Sequence, residues 1–138
     1  MQKHFVIFSH GFGVLKDARG LFTELSAMLS SHGIQSVLFD YDYNEIKHGT
    51  KEVITKPFSE QAKVLQCVID ETRTKNPDST IDIIAHSQGT VMIALAKPHG
   101  IRRVISMSPF FHTDIDRVTE RYKRFPQSKR RFAACQER

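Results

Sequence analysis

A chain of 138 residues, 40% hydrophobic and 25% charged, has room for one domain around one core. No apolar run reaches the length of a membrane span, and the start lacks the basic-then-apolar pattern of a secretion signal, so a cytoplasmic setting is expected. The formal net charge of +5 invites a nucleic-acid partner, but residues 117–138 hold eight Lys/Arg against two acids while residues 1–116 are close to neutral. A basic tail on a neutral body reads as a solvated segment, and no specific nucleic-acid surface is expected.

Taken in order, the first strand is expected over residues 4–9, where Phe5, Val6, Ile7 and Phe8 form an apolar run. A loop at 10–20 follows, with Gly11, Gly13 and Gly20. Helical spacing of Leu21, Phe22, Leu25, Met28 and Leu29 predicts a helix over about 20–32, stopped by Gly33. The second strand is expected at 36–40. A long polar loop then spans 41–57 and ends at Pro57. Ser59 is the expected N-cap of a helix over 60–74, whose buried stripe uses Val64, Leu65, Val68 and Ile69. Cys67 is assigned to the apolar side of that helix as core packing. Because Cys67 and Cys135 lie far apart with no C-x-x-C spacing, neither metal nor redox use is expected.

Asn76-Pro77-Asp78 breaks the second helix, and the third strand is expected at 80–85. A helix over 88–96 runs out at Lys97-Pro98-His99-Gly100, and the fourth strand is 103–107. This β-α-β-α-β-α-β alternation predicts an α/β fold: a parallel sheet of about four strands with helices on both faces. Right-handed crossovers favour the spatial order 2-1-3-4, which opens a crevice above the first strand and leaves the fourth as an exposed edge suited to self-association. A further helix is expected over 113–125, with Thr113 as its cap, Asp116 as partner, and Ile115, Val118, Tyr122 and Phe125 on one face. From Pro126 onward no periodicity survives, so 126–138 is an irregular basic tail.

The junction between the third strand and its helix carries the chemical signal. Ala85-His86-Ser87-Gln88-Gly89 has the form small-x-Ser-x-small, which lifts a serine to the tip of a sharp bend. Alone, the five residues fit equally an ordinary strand-to-helix turn that happens to contain serine. A second feature separates the two. The first strand runs straight into His10-Gly11-Phe12-Gly13, a glycine-bearing loop at the same kind of strand end.

At both places, in this order, the chain resembles the α/β-hydrolase family, and most of all a small bacterial esterase-type serine hydrolase. The resemblance covers residues 3–110, implying that 1–110 form the amino-terminal half of the family's fold. It makes 111–125 a lid-like helix, with a plain surface helix as the alternative. It implies Ser87 as nucleophile and the backbone N–H groups of Phe12 and Gln88 as oxyanion donors. His10, Gly11, Gly13, His86 and Gly89 become supporting residues. Of these, His10 shapes the loop, while His86 points away from the Ser87 hydroxyl and makes a structural hydrogen bond.

The family also needs an acid and a histidine after the nucleophile, in units that follow residue 110, and nothing there resembles them. His112 is the stand-in base and Asp114 the stand-in acid, with Asp116 nearby. An acid two residues from its histidine orients it poorly. The chain therefore looks truncated about halfway through the family's fold, as an early stop or a frameshift would leave it. Three readings follow. One is a serine hydrolase acting on an ester, thioester or amide, with a small uncharged acyl ester as substrate and no metal or organic cofactor. Another is a truncated, weakly active or inactive remnant kept for binding or association. The third, a nucleotide-binding loop at Gly11-Gly13, is disfavoured because neither G-x-G-x-x-G nor a glycine-Lys-Ser/Thr run is present.

Overall fold

The computed structural model describes residues 2–41 and 56–109, and between them the backbone of strands at 43–47 and 50–54. The helix expected over 113–125, His112, Asp114, Asp116 and the basic tail lie outside the described residues. The elements in chain order are β1 (His4–Ser9), α1 (Leu21–Ser31), β2 (Gln35–Leu38), β3 (Tyr43–Lys47), β4 (Thr50–Ile54), α2 (Phe58–Lys75), β5 (Thr80–His86), α3 (Gln88–Ala96) and β6 (Arg103–Met107).

The main sheet is four-stranded, with the order β2-β1-β5-β6. All its pairings are parallel: Phe5 lies opposite Gln35 and Ile81, and Ile83 opposite Val104. This is the α/β architecture and strand order expected from the alternation of elements. Period-two alternation divides the side chains between two faces. Phe5, Ile7, Ile81, Ile83 and Ala85 pack with Leu65 and Ile69 of α2 and Met92 of α3. Val6, Phe8 and Ile84 face the other way and meet Phe22 of α1, the Phe8 and Phe22 rings standing 4.8 Å apart. Because both faces are covered, the central strands carry almost unbroken apolar runs.

The carboxyl end of α1 shows why Gly33 stops it. Gly33 takes φ +73°, its N–H bonds the Ser30 carbonyl, and the Ile34 N–H reaches back to Leu29. These two bonds satisfy carbonyls the helix would leave open, and Ile34 and Leu29 join the same apolar cluster.

Four expectations need correction. Met28 is 63% exposed, so the stripe of α1 is narrower than its apolar spacing suggests. Cys67 is also exposed, lying off the Leu65–Ile69 stripe. The N-cap of α2 is Pro57, without a side-chain cap; its carbonyl accepts the Glu60 and Gln61 N–H groups, which places Ser59 inside the first turn. Pro57 starts the helix early because its ring already fixes φ, here −54°. Finally, the polar stretch after residue 41 holds an antiparallel pair, with Tyr43 opposite Ile54 and Lys47 opposite Thr50. Tyr43 and Ile46 lie three apart and Val53 and Ile54 are adjacent, so no period-two alternation marks either strand in the sequence.

At the amino end of the sheet, Asp82 is buried on β5. Arg102 grips it with two bonds, Nε to Oδ1 at 2.9 Å and Nη2 to Oδ2 at 2.6 Å, and His4 Nε2 stands 2.9 Å from Oδ2. The Arg102 guanidinium, aided by His4 and opposed by burial, holds this carboxyl below the usual aspartate range. On the far side of the sheet, β6 is the edge strand among the described residues, with Val104 45% and Ile105 51% exposed.

Candidate functional site

β1 and β5 are neighbours in register, Ser9 lying opposite Ala85, so the chain leaves both strands at the same end of the sheet. The loop after β1 and the bend after β5 therefore run side by side. A Cβ on Gly11 would stand 3.2 Å from His86 Nδ1 and 3.4 Å from Ser87 Cβ, which is why a bare residue belongs there. The contact at Gly89 is closer still: a Cβ on it would overlap the Ser9 carbonyl and hydroxyl. Two glycines thus let the loop after β1 press against the strand–helix junction.

Ser87 forms the bend. Its φ of +50° and ψ of −118° lie in a region that side chains rarely enter. Its backbone is held on both sides: the N–H donates to the Met107 carbonyl at 3.0 Å, and the carbonyl accepts from the Thr90 N–H and hydroxyl. Its hydroxyl makes no capping bond to α3 and has no hydrogen-bond partner among the described residues. A serine serving only as an ordinary helix cap would spend its oxygen on the second or third N–H of the helix.

Gln88 opens α3, so its N–H is one of the donors a helix start leaves without an intrahelical acceptor. Its side chain turns inward, and Nε2 donates to Gln61 Oε1 at 2.8 Å. Gln61, fully buried on α2, passes the restraint on through Nε2 to the Lys56 carbonyl at 2.6 Å.

The other loop is held by His10 and Tyr41, both almost fully buried. The Tyr41 backbone N–H can only donate, so His10 Nε2, 3.0 Å away, accepts. The ring proton must then sit on Nδ1, which donates to the Gly11 carbonyl at 2.9 Å. With both nitrogens committed, His10 shapes the loop. Ser9 donates its hydroxyl proton to the Gly89 carbonyl, so the Tyr41 hydroxyl, 2.8 Å away, donates to Ser9 Oγ. Burial pushes the Tyr41 hydroxyl well above its ordinary value and keeps it neutral.

His86 differs from expectation. No structural hydrogen bond is made by its Nδ1, which is buried against Gly11 without a partner among the described residues. Phe12 and Gly13 are half-buried in the loop, Gly13 with φ +68°. The structure thus brings Gly11, His86, Ser87 and Gly89 into one neighbourhood, with His10 behind Gly11 and Gln88 next in the chain. Tyr41 and Gln61 were missed by sequence reasoning. The signal for Gln61 was present: it continues the buried stripe of Leu65, Ile69 and Thr72 at helical spacing, a polar residue where an apolar one packs. No comparable signal marks Tyr41, whose partners lie 31 and 32 residues away.

No protein-family model matches the chain, and no curated protein does. Among solved structures, the esterase Pf2001 of Pyrococcus furiosus is similar in two crystal forms, each with a TM-score of 0.66 and 19% identity over 91% of this chain. The match covers 48% and 51% of those chains, so the protein spans about half the length of the structures it resembles. The likeness is one of architecture: over that half, the chain has the α/β fold of an esterase.

Proposed function

We propose that the protein is a serine hydrolase of the α/β-hydrolase type, cleaving an ester, thioester or amide bond through an acyl-Ser87 intermediate. The observation that carries this is the bend at Ser87. A positive φ holds a hydroxyl that neither caps α3 nor meets a partner among the described residues, beside a glycine loop from the neighbouring strand. A strained backbone at a polar residue is a cost that a functional position tolerates.

Ser87 Oγ attacks the substrate carbonyl carbon, and the carbonyl electron pair moves onto oxygen. That oxyanion lies between the N–H groups of Gln88 and Phe12, chosen by position, each worth roughly 3 kcal/mol of transition-state stabilisation at comparable sites. Collapse breaks the bond to the leaving alcohol, thiol or amine, which takes up a proton, and water then releases the acid. A small uncharged acyl ester fits this chemistry.

A base is needed to take the Ser87 proton, and His112 with Asp114 fills that role in the proposal. Among the described histidines, His10 has both nitrogens engaged and His86 buries Nδ1 under Gly11. That observation favours a second reading, a weakly active or inactive remnant, in which the oxyanion donors and binding alone give about 10³–10⁴-fold acceleration over water.

A fluorophosphonate probe separates the two. Attack by Ser87 Oγ forms a P–O bond, expels fluoride and releases the serine proton. Rapid labelling that disappears in Ser87→Ala supports the hydrolase; labelling no faster than in Ser87→Ala leaves the remnant.

A further inference from the structure

Both bends of the site are braced from behind through Tyr41 and Gln61, buried residues that belong to neither. One brace runs from the Gly11 carbonyl through His10 to the Tyr41 backbone N–H, and from the Tyr41 hydroxyl through Ser9 to the Gly89 carbonyl. The other runs from the Gln88 side chain through Gln61 to the Lys56 carbonyl. Packing does not require them. Position 61 continues the Leu65–Ile69 stripe, where leucine would bury equally well without an amide to satisfy, and phenylalanine would fill the Tyr41 site. The polar atoms are spent on the residues that flank Ser87 and on the loop carrying Phe12.

We propose that Tyr41 and Gln61 are the positioning residues of the site, fixing the separation between the Gly11–Phe12 loop and the start of α3. The proposal rests on the serine-hydrolase reading and deepens it. Fully satisfied buried networks rigidify the groups they connect, and small displacements of a donor are expensive in rate.

The test uses the full chain and the fluorophosphonate probe, following labelling rate against probe concentration for wild type, Tyr41→Phe, Gln61→Leu and Gln61→Glu, with Ser87→Ala as blank. Both Tyr41→Phe and Gln61→Leu are expected to lower the saturating labelling rate by about 10- to 100-fold while leaving the half-saturating concentration unchanged. Gln61→Glu offers the same acceptor and donor only when protonated. Its rate relative to wild type therefore rises as pH is lowered from about 8 to about 5. Should Gln61→Leu fail to fold, Tyr41→Phe, which removes one buried oxygen, decides the matter. Wild-type rates in Tyr41→Phe and Gln61→Leu, a change only in the half-saturating concentration, or a flat Gln61→Glu ratio would overturn the positioning role while leaving the hydrolase standing. A wild type that labels no faster than Ser87→Ala removes the hydrolase, and the proposal with it.

Discussion

Ser87 sits where glycine would rest more comfortably. Its φ of +50° with ψ of −118° carries a strain on the order of 1 kcal/mol or more, which glycine relieves. Ser87→Gly is accordingly expected to raise the unfolding free energy by about 1 kcal/mol in urea titration while abolishing probe labelling. An unchanged or lowered stability would mean the bend is relaxed. Gly89 lies at the opposite extreme. Gly89→Ala drives a Cβ into the Ser9 carbonyl, a backbone atom that cannot swing aside, and should cost about 3 kcal/mol or more. Melting that matches wild type would contradict so close an approach of β1 to α3. Both positions are legible from sequence because sterics confine the residue types allowed there. Tyr41 and Gln61 escape that logic, since what they contact is set by the folded chain.

Single elements show the same division. In α2, the spacing of Val64, Leu65, Val68 and Ile69 gives away the inward face, and Leu65 and Ile69 are fully buried on it. Leu65→Ala leaves a hole between α2 and the sheet and is expected to cost about 3 kcal/mol by chemical denaturation. The β3–β4 pair was hidden because Asn44, Glu45, Lys47, Lys51 and Glu52 dilute the apolar positions. Ser59 misled for a different reason: cap propensity is a local preference, and Pro57 satisfied the start of α2 two residues earlier. Val104 and Ile105 of β6, on opposite faces of the edge strand among the described residues, are both about half exposed. Were copies of the chain to pair along that edge, Ile105→Lys would suppress concentration-dependent association in sedimentation with the melting temperature little changed.

For the molecule as a whole, the alternation of elements was enough to reach the order β2-β1-β5-β6, because parallel crossovers of one hand leave few alternatives. The clamp of Asp82, Arg102 and His4 was not legible. A lone aspartate between isoleucines signals a buried charge but not its partner 20 residues on. That clamp sets an acid limit. The bonds from Arg102 lower the Asp82 carboxyl in the folded chain relative to the unfolded one, so its contribution is complete above about pH 4 and is lost as pH falls through the depressed folded value. Arg102→Leu should lower the melting temperature at neutral pH and flatten its decline below about pH 4. A decline as steep as that of wild type would assign the acid sensitivity to other carboxylates.

The central place of β1 has a bearing on how the protein is born. The ribosome makes this strand before the others of the sheet, yet one of its two edges waits for β5, paired from Thr80 to Ala85, and its first residue waits for Arg102. Throughout that interval Phe5, Val6, Ile7 and Phe8 emerge with one flank open, in a topology whose contacts span most of the chain and close slowly. Nascent chains arrested before residue 80 should therefore hold chaperones that longer ones release.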